Sequence, residues 1–262
     1  MTLAVRGMWM DLSGGRAFVT GAGGGMGFQI AHDLVAAGCS VTALDIKPDP
    51  GGFPSGPGRI AYIQGDLCER DTIDRTVDRA ATEGLDYVVN AAGVAMLKQD
   101  GSIVDIELDI WERTMQINLL APVHIARRAV PHMIRGKGGA FVHIASVAGA
   151  RSMDNVLEHG PLDAYQVSKA ALISLSRGLA LTYGRQGIRS NTICPGAVWT
   201  PMTAAIYQDP ARIKAMEQRT PLPMVGTPQH IADACLFLLS ERAAFITGTD
   251  LMVDGGLMAK LV

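Results

Sequence analysis

Thr20-Gly21-Ala22-Gly23-Gly24-Gly25-Met26-Gly27 links an apolar run, Arg16 to Thr20, to a helical pattern over Gly25 to Ala37 with Ile30, Ala31, Leu34 and Val35 on one side. Strand, glycine turn and helix in this order aim the unpaired N–H groups of a helix start at a point where a pyrophosphate can bind. The common G-x-G-x-x-G spacing would need a third glycine at position 26, which is Met26; the glycines that fit a turn are Gly21, Gly25 and Gly27. Asp45 ends the next apolar run, Val41 to Asp45. A carboxylate there can take both ribose hydroxyls of an adenosine and repel a 2′-phosphate. Gly24 adds no cation beside that ribose, so NAD is expected over NADP, although Lys47 is near enough to soften the preference.

Outward from this turn, strand and helix signals alternate. Strands are predicted at Ile60 to Gln64, Tyr87 to Asn90, Ala140 to Ser146, Ser190 to Cys194 and Leu251 to Val253, and helices at 71–83, 109–135, 163–183 and 228–240. Short apolar strands separated by helices imply an α/β fold, a Rossmann-like doubly wound parallel sheet of about seven strands with helices on both faces. No repeat, low-complexity stretch or linker divides the 262 residues, so one dinucleotide-binding and catalytic domain is expected over 1–262, with substrate loops near 147–163 and 197–222. One segment breaks the rhythm. Lys47 to Gly58 holds four prolines and four glycines where a crossover helix should lie, so a loop is predicted there.

Composition excludes several classes. Apolar residues make up 48% and charged residues 18%, with a net charge of −2 and no basic tract. Disorder, nucleic acid and anionic membrane are therefore poor fits. No run reaches the ~18 apolar residues of a membrane span. Cys39, Cys68, Cys194 and Cys235 have no paired spacing, and the six histidines are scattered. A reducing cytoplasm is expected, with no disulfide framework and no metal site.

Tyr165 and Lys169 stand four apart in the long 163–183 pattern, which puts a phenol and an ammonium on one helix face. That same helix carries Ala170, Ala171, Leu172, Ile173, Leu175, Leu179, Ala180 and Leu181, apolar nearly all round. One side is expected to cover the sheet and another to meet a second subunit.

Taken together, these stretches resemble the short-chain dehydrogenase/reductase family over residues 12–256. The turn is similar to its T-G-x-x-x-G-x-G, Asp66-Leu67 to its adenine-side D-[VL], and Asn90-Ala91-Ala92-Gly93 to its N-[NA]-A-G. Asn118, Ser146 and the pair Tyr165 and Lys169 fall at the family's catalytic positions. Pro195-Gly196-Ala197-Val198-Trp199-Thr200 resembles P-G-x-V-x-T, which contacts the nicotinamide amide.

The resemblance implies hydride transfer between NAD and a secondary alcohol or ketone (a polyol, sugar, hydroxy acid or other small molecule) in a homotetramer or homodimer. Tyr165 is then the general acid/base, and Ser146 orients the substrate oxygen. Lys169 lowers the tyrosine pKa and holds the nicotinamide ribose, while Asn118 supports a water relay. Lowering a tyrosine pKa by ~3 units takes ~4 kcal/mol, which an ammonium about 4 Å away supplies at an effective dielectric of ~20. Pro122 has no N–H for the Asn118 carbonyl, which leaves either a simple proline kink or a carbonyl able to hold that water.

The chain departs from the family between Ser146 and Tyr165, where 18 residues lie, more than is usual. The excess, Arg151 to Pro161, either forms a polar pocket wall for a hydroxylated or anionic substrate or bulges into solvent. Met153 and His159 of that stretch, with Trp199 and Met202, are the candidate substrate contacts. Met202, Ile206, Tyr207 and Met216 suggest a mobile apolar lid opposite. Two other functions stay open: an NADPH-dependent biosynthetic ketoreductase, and a dinucleotide-sensing protein without turnover.

Overall fold

The computed structural model describes residues 11–152, 160–204 and 206–259. Seven strands form one parallel sheet: β1 (Arg16–Thr20), β2 (Ser40–Asp45), β3 (Arg59–Gln64), β4 (Tyr87–Asn90), β5 (Gly139–Ile144), β6 (Ile188–Pro195) and β7 (Asp250–Val253). Their order across the sheet is β3-β2-β1-β4-β5-β6-β7. The order reverses beside β1, between β1 and β4, and there the strands' carboxyl ends open a crevice for ligands.

Helices cover both faces: α1 (Gly25–Ala36), α2 (Arg70–Ala80), α3 (Leu108–Met115), α4 (Ala121–Arg135), α5 (Val147–Ala150), α6 (Asp163–Tyr183), α7 (Pro210–Arg219) and α8 (Pro228–Leu239). Strand side chains alternate between two cores. Phe18, Leu44, Val88 and Phe141 pack toward α2, α4 and α6. Val19, Ala43, Val89 and Val142 pack toward α1 and α8.

No helix lies between β2 and β3. The proline- and glycine-rich loop takes its place, anchored by Phe53, whose ring centroid is 5.0 Å from Phe28 and 6.4 Å from Tyr62. Tyr62 also donates from its hydroxyl to the Lys47 carbonyl at 2.9 Å.

Three predicted elements differ in detail. The 109–135 helix is interrupted by a π turn, Gln116–Leu120, in which the Ala121 amide donates to the Gln116 carbonyl. Pro122 cannot donate to the Asn118 carbonyl, so the backbone widens at this point rather than holding the α register. The fifth strand ends at Ile144, and Ser146 instead caps the short helix α5. The predicted lid after Thr200 contains a ten-residue helix, α7, capped by Asp209, whose carboxylate accepts from the Ala211 amide. No described helix is long and apolar enough to cross a membrane.

Candidate active site

Two adjoining cavities lie at the carboxyl ends of the strands. The larger, about 430 Å³, is lined by Gly21, Gly25, Met26, Gly27, Asp45, Asp66, Leu67, Ala91, Gly93, Thr200 and Met202, among others. Ser146, Tyr165, Pro195, Gly196, Val198 and Met202 line the smaller, about 140 Å³. Met26, Thr200 and Met202 belong to both, so the cavities meet there.

The larger cavity suits a dinucleotide. Gly21 has φ +77°, and a Cβ there would sit 2.6 Å from the Ala92 amide nitrogen, so only glycine lets the turn lie against the β4 end. Asp45 closes the cavity at the β2 end, accepting from the Gly23 amide at 2.8 Å and the Lys47 amide at 2.9 Å. Each carboxylate oxygen keeps acceptor capacity for a ribose hydroxyl. Lys47 lines the same cavity, its ammonium 4.0 Å from where a Gly24 Cβ would stand. A carboxylate and an ammonium thus share the β2 end of the cavity.

Behind the smaller cavity, four side chains interlock. Ser146 Oγ accepts from the Ala148 amide at 3.1 Å. Burial raises the Tyr165 phenol above its usual pKa, and a hydrogen bond with Ser146 works against the rise. Lys169 Nζ lies 5.7 Å from the Tyr165 ring centroid and donates to the Ile144 carbonyl at 2.8 Å. Its burial brings the ammonium down to about 8. A Cβ at position 93 would stand 3.1 Å from Nζ and 3.3 Å from Asn118 Oδ1, so any larger residue would press on both side chains. Asn118 itself accepts from the Val94 amide at 2.9 Å and donates to the Val94 carbonyl at 2.8 Å and to Ser168 Oγ at 2.9 Å. The asparagine therefore fastens the loop after β4 to the helix that carries Tyr165 and Lys169.

Some expected contacts fall elsewhere. Asn90 is buried at the end of β4 and lines neither cavity. Trp199 also lines neither and is 51% exposed. The cause is strand-like alternation: Val198 pairs with Gly226 and turns inward, so its neighbour turns out. Met153 and His159 lie outside the described residues.

Other positioning residues were not foreseen. Asp100 caps α6 from a distant loop, accepting from the Tyr165 amide at 2.9 Å and the Ala164 amide at 3.2 Å. A carboxylate at a helix start satisfies unpaired N–H groups and complements the helix dipole. His143 on β5 is wholly buried, and burial holds it down at about 3, so its ring is neutral. It lies 3.0 Å from the Asn90 amide nitrogen and 3.3 Å from Ser190 Oγ, which in turn lies 2.9 Å from Ser176 of α6. This buried chain ties the end of β4 to the Tyr165 helix through the centre of the sheet.

Comparison with known proteins gives a consistent picture. A model of the family described as enoyl-(acyl carrier protein) reductase matches residues 21–258. The cis-4-hydroxycyclohexanecarboxylate dehydrogenase of Sinomonas cyclohexanicum is 32% identical over 250 residues, covering 93% of this chain and 96% of the relative. The 3beta-hydroxysteroid dehydrogenase 1 of Eggerthella lenta is 31% identical over 95% of this chain and 96% of its own. Among solved structures, a short-chain type dehydrogenase/reductase from Mycobacterium ulcerans superposes with a TM-score of 0.87 at 32% identity, covering 95% of this chain and 92% of that one.

Proposed function

The chain belongs to the short-chain dehydrogenase/reductase family, and we propose that within it the protein is an NAD-dependent dehydrogenase acting reversibly on a ring-borne secondary alcohol. Its curated relatives include alcohol dehydrogenases, and enzymes of this kind work with a nicotinamide dinucleotide. The observation that carries the proposal is the meeting of the two cavities at Met26, Thr200 and Met202, with Ser146 and Tyr165 on the far side. Ring alcohols are favoured because both named relatives act on cyclic hydroxyl compounds.

Gly21, Gly25, Gly27 and Asp45 of the larger cavity would hold a nicotinamide dinucleotide, which would supply hydride transfer in either direction. Tyr165 takes the proton from the substrate hydroxyl, or gives one to the ketone. Ser146 Oγ meets the same oxygen and steadies the charge that develops on it. Lys169, held between the Tyr165 ring and the Ile144 carbonyl, supplies the positive charge that favours the phenolate once water is excluded, and it also holds the ribose. Asn118 lies one contact behind, through Ser168, where Pro122 leaves its carbonyl without the α-helical donor for a relay water. The test is absorbance at 340 nm with NAD and NADP across cyclic and acyclic secondary alcohols; silence with every alcohol and both cofactors, while dinucleotide still binds, would favour the sensor reading.

The NAD preference rests on Asp45. Replacing it with serine removes the charge-assisted bonds to the ribose, which is expected to lower kcat/KM for NAD about 10- to 100-fold. Lys47 then stands unopposed, so the NADP:NAD ratio should rise. An unchanged ratio in steady-state assays would remove Asp45 from cofactor choice and bring the NADPH ketoreductase back into view.

Support for a homotetramer or homodimer comes from α6. Its outer face leaves Leu181 87% and Val167 44% exposed, in line with Ala170 and with Ser174 and Arg177 between them. Apolar side chains aligned on one helix face mark a surface that a second copy covers. Leu181→Glu is expected to lower the mass seen by light scattering; an unaltered mass would place the interface elsewhere.

A further inference from the structure

The smaller cavity holds polar groups that proton transfer at Ser146 and Tyr165 does not use. Its volume of about 140 Å³ is close to that of an engineered cavity that takes one benzene. Ala95, Leu97, Leu162, Val198, Met216 and Leu257 make its walls largely apolar. No aspartate or glutamate lines it, and its one charged residue is Arg219, the last residue of α7. Among the described residues no carboxylate pairs with Arg219.

A second observation is independent of that charge. Tyr207 lines the same cavity at 4% exposure, and its hydroxyl has no hydrogen-bond partner. Buried hydroxyls are nearly always paired, so this one, sealed off as it stands, is left for a group that reaches it when the wall shifts. Tyr207 packs with Ile206 and Met216 in a small cluster of its own. The segment that lines the pocket here therefore carries both a buried tyrosine and, at its exposed end, Arg219.

We propose that the substrate is a single-ring hydroxy acid, with its carbinol carbon at Ser146 and Tyr165 and its carboxylate held by Arg219 and the Tyr207 hydroxyl. The proposal rests on the dehydrogenase reading above and specifies its substrate. A guanidinium with no competing acid attracts a carboxylate and repels an ammonium. Sugars and polyols would press several hydroxyls against apolar walls that cannot bond them. A fused four-ring skeleton exceeds a cavity sized for one ring.

The experiment separates binding from turnover. Calorimetric titration of the protein saturated with NAD uses cyclohexanecarboxylate and cyclohexanecarboxamide, neither of which has a hydroxyl to oxidise. The carboxylate is expected to bind about 10- to 100-fold more tightly than the amide, as a charge-assisted bond implies. Arg219→Gln should shrink that preference to about twofold or less, and Tyr207→Phe should reduce it about fivefold by removing one hydroxyl donor to the carboxylate. Equal affinity for acid and amide, or a preference that survives Arg219→Gln, overturns the proposal whatever the catalytic result. The parallel assay follows oxidation of 4-hydroxycyclohexanecarboxylate and of cyclohexanol at 340 nm. Absence of turnover with the binding preference intact would overturn the dehydrogenase reading and leave the anion site standing.

Discussion

Tyr165→Phe is expected to lower kcat about 10³- to 10⁴-fold while leaving dinucleotide affinity within about twofold, the signature of a lost general acid/base. The phenylalanine ring fills the same volume, so only the hydroxyl and its bond with Ser146 are removed. No His, Lys, Asp or Glu lines the smaller cavity, so no other side chain there can take the proton at neutral pH. Tyr165 is also absent from the lining of the larger cavity, which is why cofactor affinity should hold. Fluorescence titration with NADH and single-turnover rates at 340 nm supply the two readouts. A rate loss below about tenfold would remove Tyr165 from proton transfer. An equal loss of affinity and rate would instead mean that the substitution disturbs α6 as a whole.

The fold was open to reading from the sequence because parallel strands are buried on both faces and appear as short apolar runs. Arg16 to Thr20, Val41 to Asp45 and Tyr87 to Asn90 stood out for this reason, as did the helix missing after Asp45. What stayed hidden depends on contacts between distant segments. Helix caps are sought within a few residues of a helix start, yet Asp100 reaches α6 from a loop more than sixty residues away. His143 looks like one polar residue in an apolar strand until β4, β5 and β6 set it between Asn90 and Ser190. Proline inside the 109–135 pattern signalled a break in hydrogen bonding but not its form, since kink and π turn both dispose of the missing N–H. Trp199 was misplaced because proximity in sequence to Thr200 does not fix the side on which a side chain emerges. The segment beyond it was read through its methionines as a lid, and that emphasis passed over Arg219.

Lys169→Met is expected to stabilise the cofactor-free protein at neutral pH while costing most of its activity. The lysine is 4% exposed, and burial holds its ammonium at about 8 against an ordinary value near 10.4. Between those two values the unfolded chain keeps a proton that the folded chain releases. Folding stability therefore rises with pH across that window, and below about 8 the folded state carries the full penalty of ~3 kcal/mol. Methionine matches the length of the side chain and removes the charge, but it loses the bond to the Ile144 carbonyl, worth about 1 kcal/mol. The net gain at pH 7 is then ~2 kcal/mol, or roughly 4–8 °C in Tm for a chain of this size. The gap between variant and wild type should narrow as pH climbs from 8 toward 10, because the wild-type lysine sheds its charge there. Thermal unfolding at pH 7 and 9.5 checks both statements. A variant less stable at pH 7, or a gap that does not change with pH, would mean that the buried ammonium is well solvated by its neighbours. With that penalty confirmed, the presence of a lysine here follows from the role proposed for its charge beside Tyr165, since the fold alone would be better served by an apolar side chain.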